Sequence, residues 1–138
     1  MKPALECLLY RSKMANRIGP LHMQLLVNRA RQTNLEHGIT ARLIYLDHTF
    51  LQYIEGPSTS VNGLWVALQK DPRHQDVELM HQETIARRRF PGCPLAFASN
   101  SYFGAYQMEG FTIASPKDMV RLKQMCTTPI TDEGPFSP

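Results

Sequence analysis

Cysteine is scarce in this chain. There are three in 138 residues, Cys7, Cys93 and Cys126, an odd and widely spread set. That excludes a disulfide framework and fits reduced thiols, so a cytoplasmic location is expected. Long apolar runs are also missing; none approaches the roughly 18–20 residues a membrane-spanning helix needs. The start, Met1-Lys2-Pro3 before a short strand-like run, has no small-residue cleavage site, so no signal peptide is expected. Net charge is only +3, too mild to argue for nucleic acid. The one dense basic run, Arg87-Arg88-Arg89, reads as a solvated strand end. The histidines at 22, 37, 48, 74 and 81 lack metal-ligand spacing, so no metal is expected.

What remains is an ordinary globular composition, 43% apolar and 20% charged, long enough for one domain with a real core. Leu5 to Tyr10 reads as a first strand, with Leu8, Tyr10 and Ser12 sharing a face at period two. Gly19-Pro20 opens a helix in which Met23, Leu26, Val27 and Ala30 follow the i, i+3, i+4, i+7 template. It runs to about Gln32–Asn34, and Gly38 ends the excursion. Ala41–Leu46 and Thr49–Ile54 form a hairpin across Asp47-His48. Ser58 is placed to cap a second helix, with Val61, Leu64, Trp65 and Leu68 on its apolar side and a stop at Asp71-Pro72. Val77–Ile85 and Leu95–Ala98 read as further strands. A helix is expected from Ser115-Pro116, with Met119, Leu122 and Met125 as its apolar side. The Pro/Thr/Ser-rich end reads as a mobile tail. The order β-α-β-β-α-β is the ferredoxin-like α+β pattern, with both long helices on one face of the sheet, plus a fifth strand and a C-terminal helix.

Four polar residues stand out against this pattern: Tyr10, Asn34, Gln52 and Arg73. Gln52 is the sharpest case, lying inside Phe50-Leu51-Gln52-Tyr53-Ile54, a run that otherwise reads as a half-buried strand. An amide there costs stability unless something satisfies it. It carries donor and acceptor on one rotatable group and can exchange partners by turning. Each of the four has an ordinary reading alone: a core tyrosine, a helix-end Asn, a hairpin Gln, a surface ion pair.

In this order the residues resemble the BLUF family of flavin-binding blue-light sensors, over about residues 5–98. The carriers are Leu9-Tyr10-Arg11-Ser12, Asn34, Gly38-Ile39-Thr40, Phe50 to Gly56, Asp71-Pro72-Arg73-His74 and Arg89-Phe90. Gly110-Phe111-Thr112 with Pro116 and Met119 resembles the helical extension of short, stand-alone members. The resemblance implies a noncovalent flavin, FAD or alternatively FMN, between the two long helices. It implies that Asn34 bonds the pyrimidine edge, that Arg73 reaches the carbonyl edge or phosphate end, and that Asp71 and His74 belong to the same shell. Thr33 would lie close to the ring, and Ile39, Leu43 and Phe50 would wall it. Tyr10 would give an electron and its phenolic proton after excitation, and Gln52 would rearrange the hydrogen bonds. Signal coupling would use Cys93, Leu95 and Ser12. Cys93 and Leu95 stand where the family commonly has Trp and Met, and are expected on one face of the fifth strand. Ala41 replaces a glycine.

The division expected is a sensor over 1–98, a helical extension over 99–126 and a tail over 127–138. No enzymatic activity is expected, because the chain ends soon after the sensor, and output is expected through a downstream partner protein or a change in assembly. Apolar surface on the far side of the sheet points to a homo-oligomer. Three alternatives compete: a flavin-binding regulator with impaired light output, an RNA-binding module, and a small acylphosphatase-type hydrolase. The RNA reading lacks a Lys/Arg-Gly-Phe-Gly-Phe run, and the loop from Arg11 to Gly19 has too little glycine for the hydrolase reading.

Overall fold

A computed structural model of the chain describes residues 4–16, 19–46, 48–99 and 116–127. The tail beyond Thr127, the segment 101–113 and Ser115 lie outside them, as does the side chain of Met119; Thr127, expected in the tail, is the last residue of the final helix. The elements are β1 (Leu5–Met14), α1 (Pro20–Glu36), β2 (Thr40–Leu46), β3 (Thr49–Pro57), α2 (Ser58–Lys70), β4 (His74–Ile85), β5 (Ala96–Ser99) and α3 (Pro116–Thr127). One five-stranded sheet has the order β4-β1-β3-β2-β5. All neighbours are antiparallel except β2 and β5. This is the expected α+β, ferredoxin-like arrangement.

The period-two alternation sorts the side chains into two cores. Leu8, Tyr10, Leu43, Phe50 and Ile54 face α1 and α2, where Met23, Val27 and Val61 are buried with them. Cys7, Leu9, Ile44, Leu51 and Tyr53 point the other way, to Leu122 and Cys126 of α3. β3 is therefore covered on both sides, and Phe50 through Gly56 are all buried. The half-buried strand expected from the sequence is corrected here: α3 supplies the second cover. α3 thus packs on part of the far-side apolar surface that had pointed to an oligomer.

Local chemistry explains the ends. Gly38 sits at φ 69, the left-handed backbone that glycine adopts freely. It stops α1 just after His37 and lets the Ile39 N–H bond the Asn34 carbonyl at 2.8 Å. Asn34 lies inside the last helical turn, so the helix-end role suggested for it alone is not the one it plays. A Cβ on Gly56 would come within 2.8 Å of the Gly38 carbonyl oxygen, so β3 can pass this point only as glycine. Ser58 is the first residue of α2 and makes no side-chain cap; Pro57 occupies the cap position. β1 runs four residues past the expected stop, because Ser12 stays buried between exposed Arg11 and Lys13 and the strand keeps pairing with β3 and β4. Among the described residues no helix is long and apolar enough to cross a membrane.

Candidate flavin site

The strand register places Tyr10 of β1 directly opposite Gln52 of β3, and Gln52 opposite Leu43 of β2. All three point at α1 and α2. A break in the β1–β4 register lies beside Tyr10, between pairs Leu9–His81 and Tyr10–Leu79. Such bulges often re-aim side chains next to sites. Under the two helices lies a cavity of about 350 Å³, within the size range of small-molecule sites. Its apolar walls include Met23, Leu26, Val27, Leu43, Phe50 and Leu64, and Thr33, Asn34, Asp71, Arg73 and His74 supply its polar groups.

The centre of the site is one hydrogen bond: the Tyr10 hydroxyl donates to Gln52 Oε1. Both residues are buried, at 2% and 7% exposure. Among the described residues nothing accepts from Gln52 Nε2, although the residue lines the cavity. Burial pushes the Tyr10 pKa up, with the Asp71 charge adding to it, so the phenol stays protonated. The Trp65 ring packs beside Tyr10, centroids 5.8 Å apart.

Asn34 Nδ2 donates to the Pro94 carbonyl at 2.9 Å, and Arg31 Nη2 to the Leu95 carbonyl at 3.0 Å. These bonds tie the end of α1 to the entry of β5. They also hold Asn34 in one orientation, leaving its Oδ1 as the acceptor for a ligand. Arg73 lines the rim of the cavity and grips Asp71 through Nε and Nη2, the shorter contact 2.7 Å. That fork holds the Asp71 carboxyl below its ordinary range and keeps Arg73 at the rim, half exposed. His74 Nδ1 is 2.8 Å from Ser12 Oγ, and its ring lies 5.6 Å from that of Phe50. Burial lowers the His74 pKa, against the opposing pull of Asp71.

The structure brings Tyr10, Thr33, Asn34, Phe50, Gln52, Asp71, Arg73 and His74 to one cavity. It does not bring Ile39, which is buried in the same core but is not part of the wall. Ser12 is fully buried and serves His74 rather than the cavity. Cys93 and Leu95 do not share a face. β5 begins only at Ala96, so Cys93 lies in the preceding loop, where Phe90 and Cys93 pack toward the α3 core and Leu95 toward the α1–α2 core. There Cys93 hydrogen-bonds the Arg42 guanidinium.

Sequence reasoning also passed over a buried carboxylate. Glu55, at 0% exposure, accepts from Thr40 Oγ1, Tyr53 Oη and the backbone N–H groups of Arg89 and Phe90, at 2.7–2.9 Å. Arg88 reaches the Gly38 carbonyl and Thr40, and Arg89 is 2% exposed. The basic run is thus not a solvated strand end: Glu55 draws its backbone inward. The signal was Glu55 inside an apolar strand, upstream of glycine.

The donor set fits a flavin. A planar isoalloxazine offers alternating acceptors and a donor along its pyrimidine edge, complementary to the free Asn34 Oδ1 and Gln52 Nε2. The apolar walls match its ring faces.

Comparison with known proteins agrees. Residues 5–96 match the family model for BLUF, sensors of blue-light using FAD. The chain is 31% identical over 87 residues to photoactivated adenylate cyclase subunit beta of Euglena longa, a match covering 63% of this chain and 10% of that protein. It therefore spans about a tenth of that curated relative's length. Its fold superposes on BlrB, a BLUF protein in its dark state, with a TM-score of 0.67 and 32% identity, covering 72% of this chain and 76% of BlrB. Klebsiella pneumoniae BlrP1 with FMN and cyclic diGMP gives 0.64 and 30%, covering 94% of this chain and 32% of that one. A ring-sized cavity beside a bonded tyrosine–glutamine pair, in a chain matched over most of its length, leads to one assignment: the protein belongs to the BLUF family of blue-light sensors that use FAD.

Proposed function

We propose that light is read in this chain through the Tyr10–Gln52 hydrogen bond, and that the result is passed to another protein or domain. The bond at the cavity wall carries this reading. A bound flavin supplies absorption of blue light and, once excited, an electron acceptor. Tyr10 is the adjacent donor. Its buried phenol resists ionisation in the dark, but loss of an electron makes a phenol strongly acidic, so the electron would pass to the excited flavin and the proton to Gln52 Oε1, the acceptor it already faces. Gln52 then has reason to turn. With Oε1 no longer held by the hydroxyl, rotation exchanges Oε1 and Nε2 between Tyr10 and the cavity.

Asn34, Gln52, Thr33, Phe50, Asp71, Arg73 and His74 are the proposed cofactor-binding residues. The Asn34–Pro94 and Arg31–Leu95 bonds give the pocket a mechanical link to β5, so Leu95 is the better placed coupling residue. Cys93, on the opposite core with Arg42, would couple to α3. The segment over 1–98 is read as a sensor without catalysis, and α3 (Pro116–Thr127), which ends one residue past the 99–126 extension, as its output element. Cyclase activity belongs to the Euglena relative and its further length. Output by this chain goes to a partner of another chain or domain. Any homo-oligomer would have to use a surface such as the outer side of α1, where Leu21, Leu25 and Leu35 are exposed. The RNA reading loses part of its platform, since Leu122 and Cys126 of α3 pack on the sheet face opposite the long helices.

The test is an illuminated-minus-dark absorption spectrum of the flavin-loaded protein. A red-shifted product that decays in the dark is expected, and it should be absent in Gln52→Ala. A colourless protein that takes up no flavin on reconstitution would refute the reading.

A further inference from the structure

The face of the sheet away from the flavin cavity holds a second group of chemistry-bearing side chains. Cys7 of β1 pairs in register with Glu83 of β4, and Leu9 pairs with His81. Period-two alternation therefore sends Cys7, His81 and Glu83 to the same side. Their ligand atoms, one sulfur, one imidazole nitrogen and one carboxylate oxygen, all lie within 4.8 Å of one another.

A second observation marks this as more than a chance grouping. His81 Nε2 is shielded from solvent and makes no hydrogen bond. It lies 3.4 Å from Glu83 Oε1 without forming one. A buried ring nitrogen without a partner costs about 1–3 kcal/mol, which a bound ion would relieve. Arg89 Nη2, fully buried and 3.3 Å from Glu83 Oε1, orients the carboxylate, as contacts beyond the ligands commonly do at metal sites. The site is closed on its inner side by Cys7, which is fully buried. It is open on its outer side, where the His81 and Glu83 side chains are 26% and 40% exposed. Solvent can supply a fourth ligand there and an ion can enter.

We propose that Cys7, His81 and Glu83 form a binding site for one borderline-soft divalent cation of the zinc type. One sulfur, one nitrogen and one oxygen suit zinc, with water completing a tetrahedron. A thiolate does not suit magnesium or calcium. Binding breaks the Cys7 S–H bond, forms a sulfur–metal bond and releases one proton to solvent, with no change of oxidation state. Cys7 also gives up its hydrogen bond with Tyr53, whose hydroxyl stays engaged with Glu55. The ion would pin the edge strand β4 to β1, on the side of the sheet that α3 covers. The cluster is invisible in sequence, since 73 residues separate its two halves and only the strand register joins them.

The experiment uses tag-free, flavin-loaded protein, stripped with a chelator and titrated with zinc against a chromophoric competitor. One equivalent should bind, with proton release, and magnesium should not compete. His81→Ala and Glu83→Gln, both at half-exposed positions, should keep the flavin spectrum. His81→Ala should weaken zinc by about 100-fold or more, since even outer-shell losses cost about 10–100-fold. Cys7→Ser should do the same, and Cys93→Ser and Cys126→Ser should change nothing. Absence of stoichiometric zinc, equal competition by magnesium, or undiminished binding in His81→Ala and Glu83→Gln would each overturn the assignment.

Discussion

Removing one oxygen atom, in Tyr10→Phe, separates the packing role of Tyr10 from its chemical role. The ring is 2% exposed and packs against Trp65, and phenylalanine keeps that packing. What is lost is the donor to Gln52 Oε1. A buried acceptor left without a donor costs about 1–3 kcal/mol. Gln52 lines the cavity and can turn toward a ligand, so the lower half, about 1–2 kcal/mol, is expected. For a domain of this size that is a fall in Tm of about 3–7 °C. The variant should therefore fold, bind flavin and stay yellow, yet give no red-shifted product. Trp65, the chain's single tryptophan, sharpens the test. It lies beside Tyr10 but makes no hydrogen bond to Gln52 Oε1, so it can quench flavin emission without resetting the amide. Time-resolved emission should stay partly quenched in Tyr10→Phe and lengthen in Tyr10→Phe/Trp65→Phe. A full red shift in Tyr10→Phe would refute the assignment of Tyr10 as the photochemical donor.

Other expectations follow from the same geometry. Asn34→Ala removes the tie to Pro94 and an acceptor for the ring, and dialysis should show flavin retention weakened about tenfold, the equivalent of about 1.4 kcal/mol. Glu55→Ala leaves four donors around a hollow. Urea titration should show a loss of about 3–5 kcal/mol, with any surviving fold losing order at residues 88–90. The His74 pKa is lowered by burial, so the unfolded chain binds the proton more readily. Stability should be complete above about pH 6.5 and fall as pH drops below it, by at most about 1.4 kcal/mol per pH unit. It should level off once folded His74 is protonated. His74→Gln should flatten that limb of the thermal-melt profile. An alanine at Gly56 drives its Cβ into the Gly38 carbonyl, and expression should yield insoluble or flavin-free protein.

The order of elements and both inward helix faces were legible in the sequence because period-two and period-3.6 patterns are strong where each element buries one side. Tyr10 and Gln52 were legible as polar intrusions into such patterns, and their meeting followed from topology. What escaped were features set by register and by turns. β1 continues through Arg11, Ser12 and Lys13, a polar stretch whose strand character comes from partners on both sides. Cys93 and Leu95 were put on one face by extending β5 too far toward its start. The Glu55 network was missed because a carboxylate beside a glycine reads as a turn, and its partners at 89 and 90 are distant in sequence. Arg73 was legible as a residue of the cavity rim, but not its fork onto Asp71, two residues away, which fixes its direction.

The middle strand of the sheet has no idle side. On β3, Phe50, Gln52 and Ile54 look toward the pigment while Leu51, Tyr53 and Glu55 look toward the last helix. A tilt or slide of that ribbon cannot be private to either compartment. If the amide at 52 drags its backbone even slightly, the carboxylate three positions on must renegotiate its grip on residues 89 and 90. Arg89, in turn, holds the carbonyl of Met125 at 3.3 Å. A message could thus cross the thickness of the molecule without any element leaving its place.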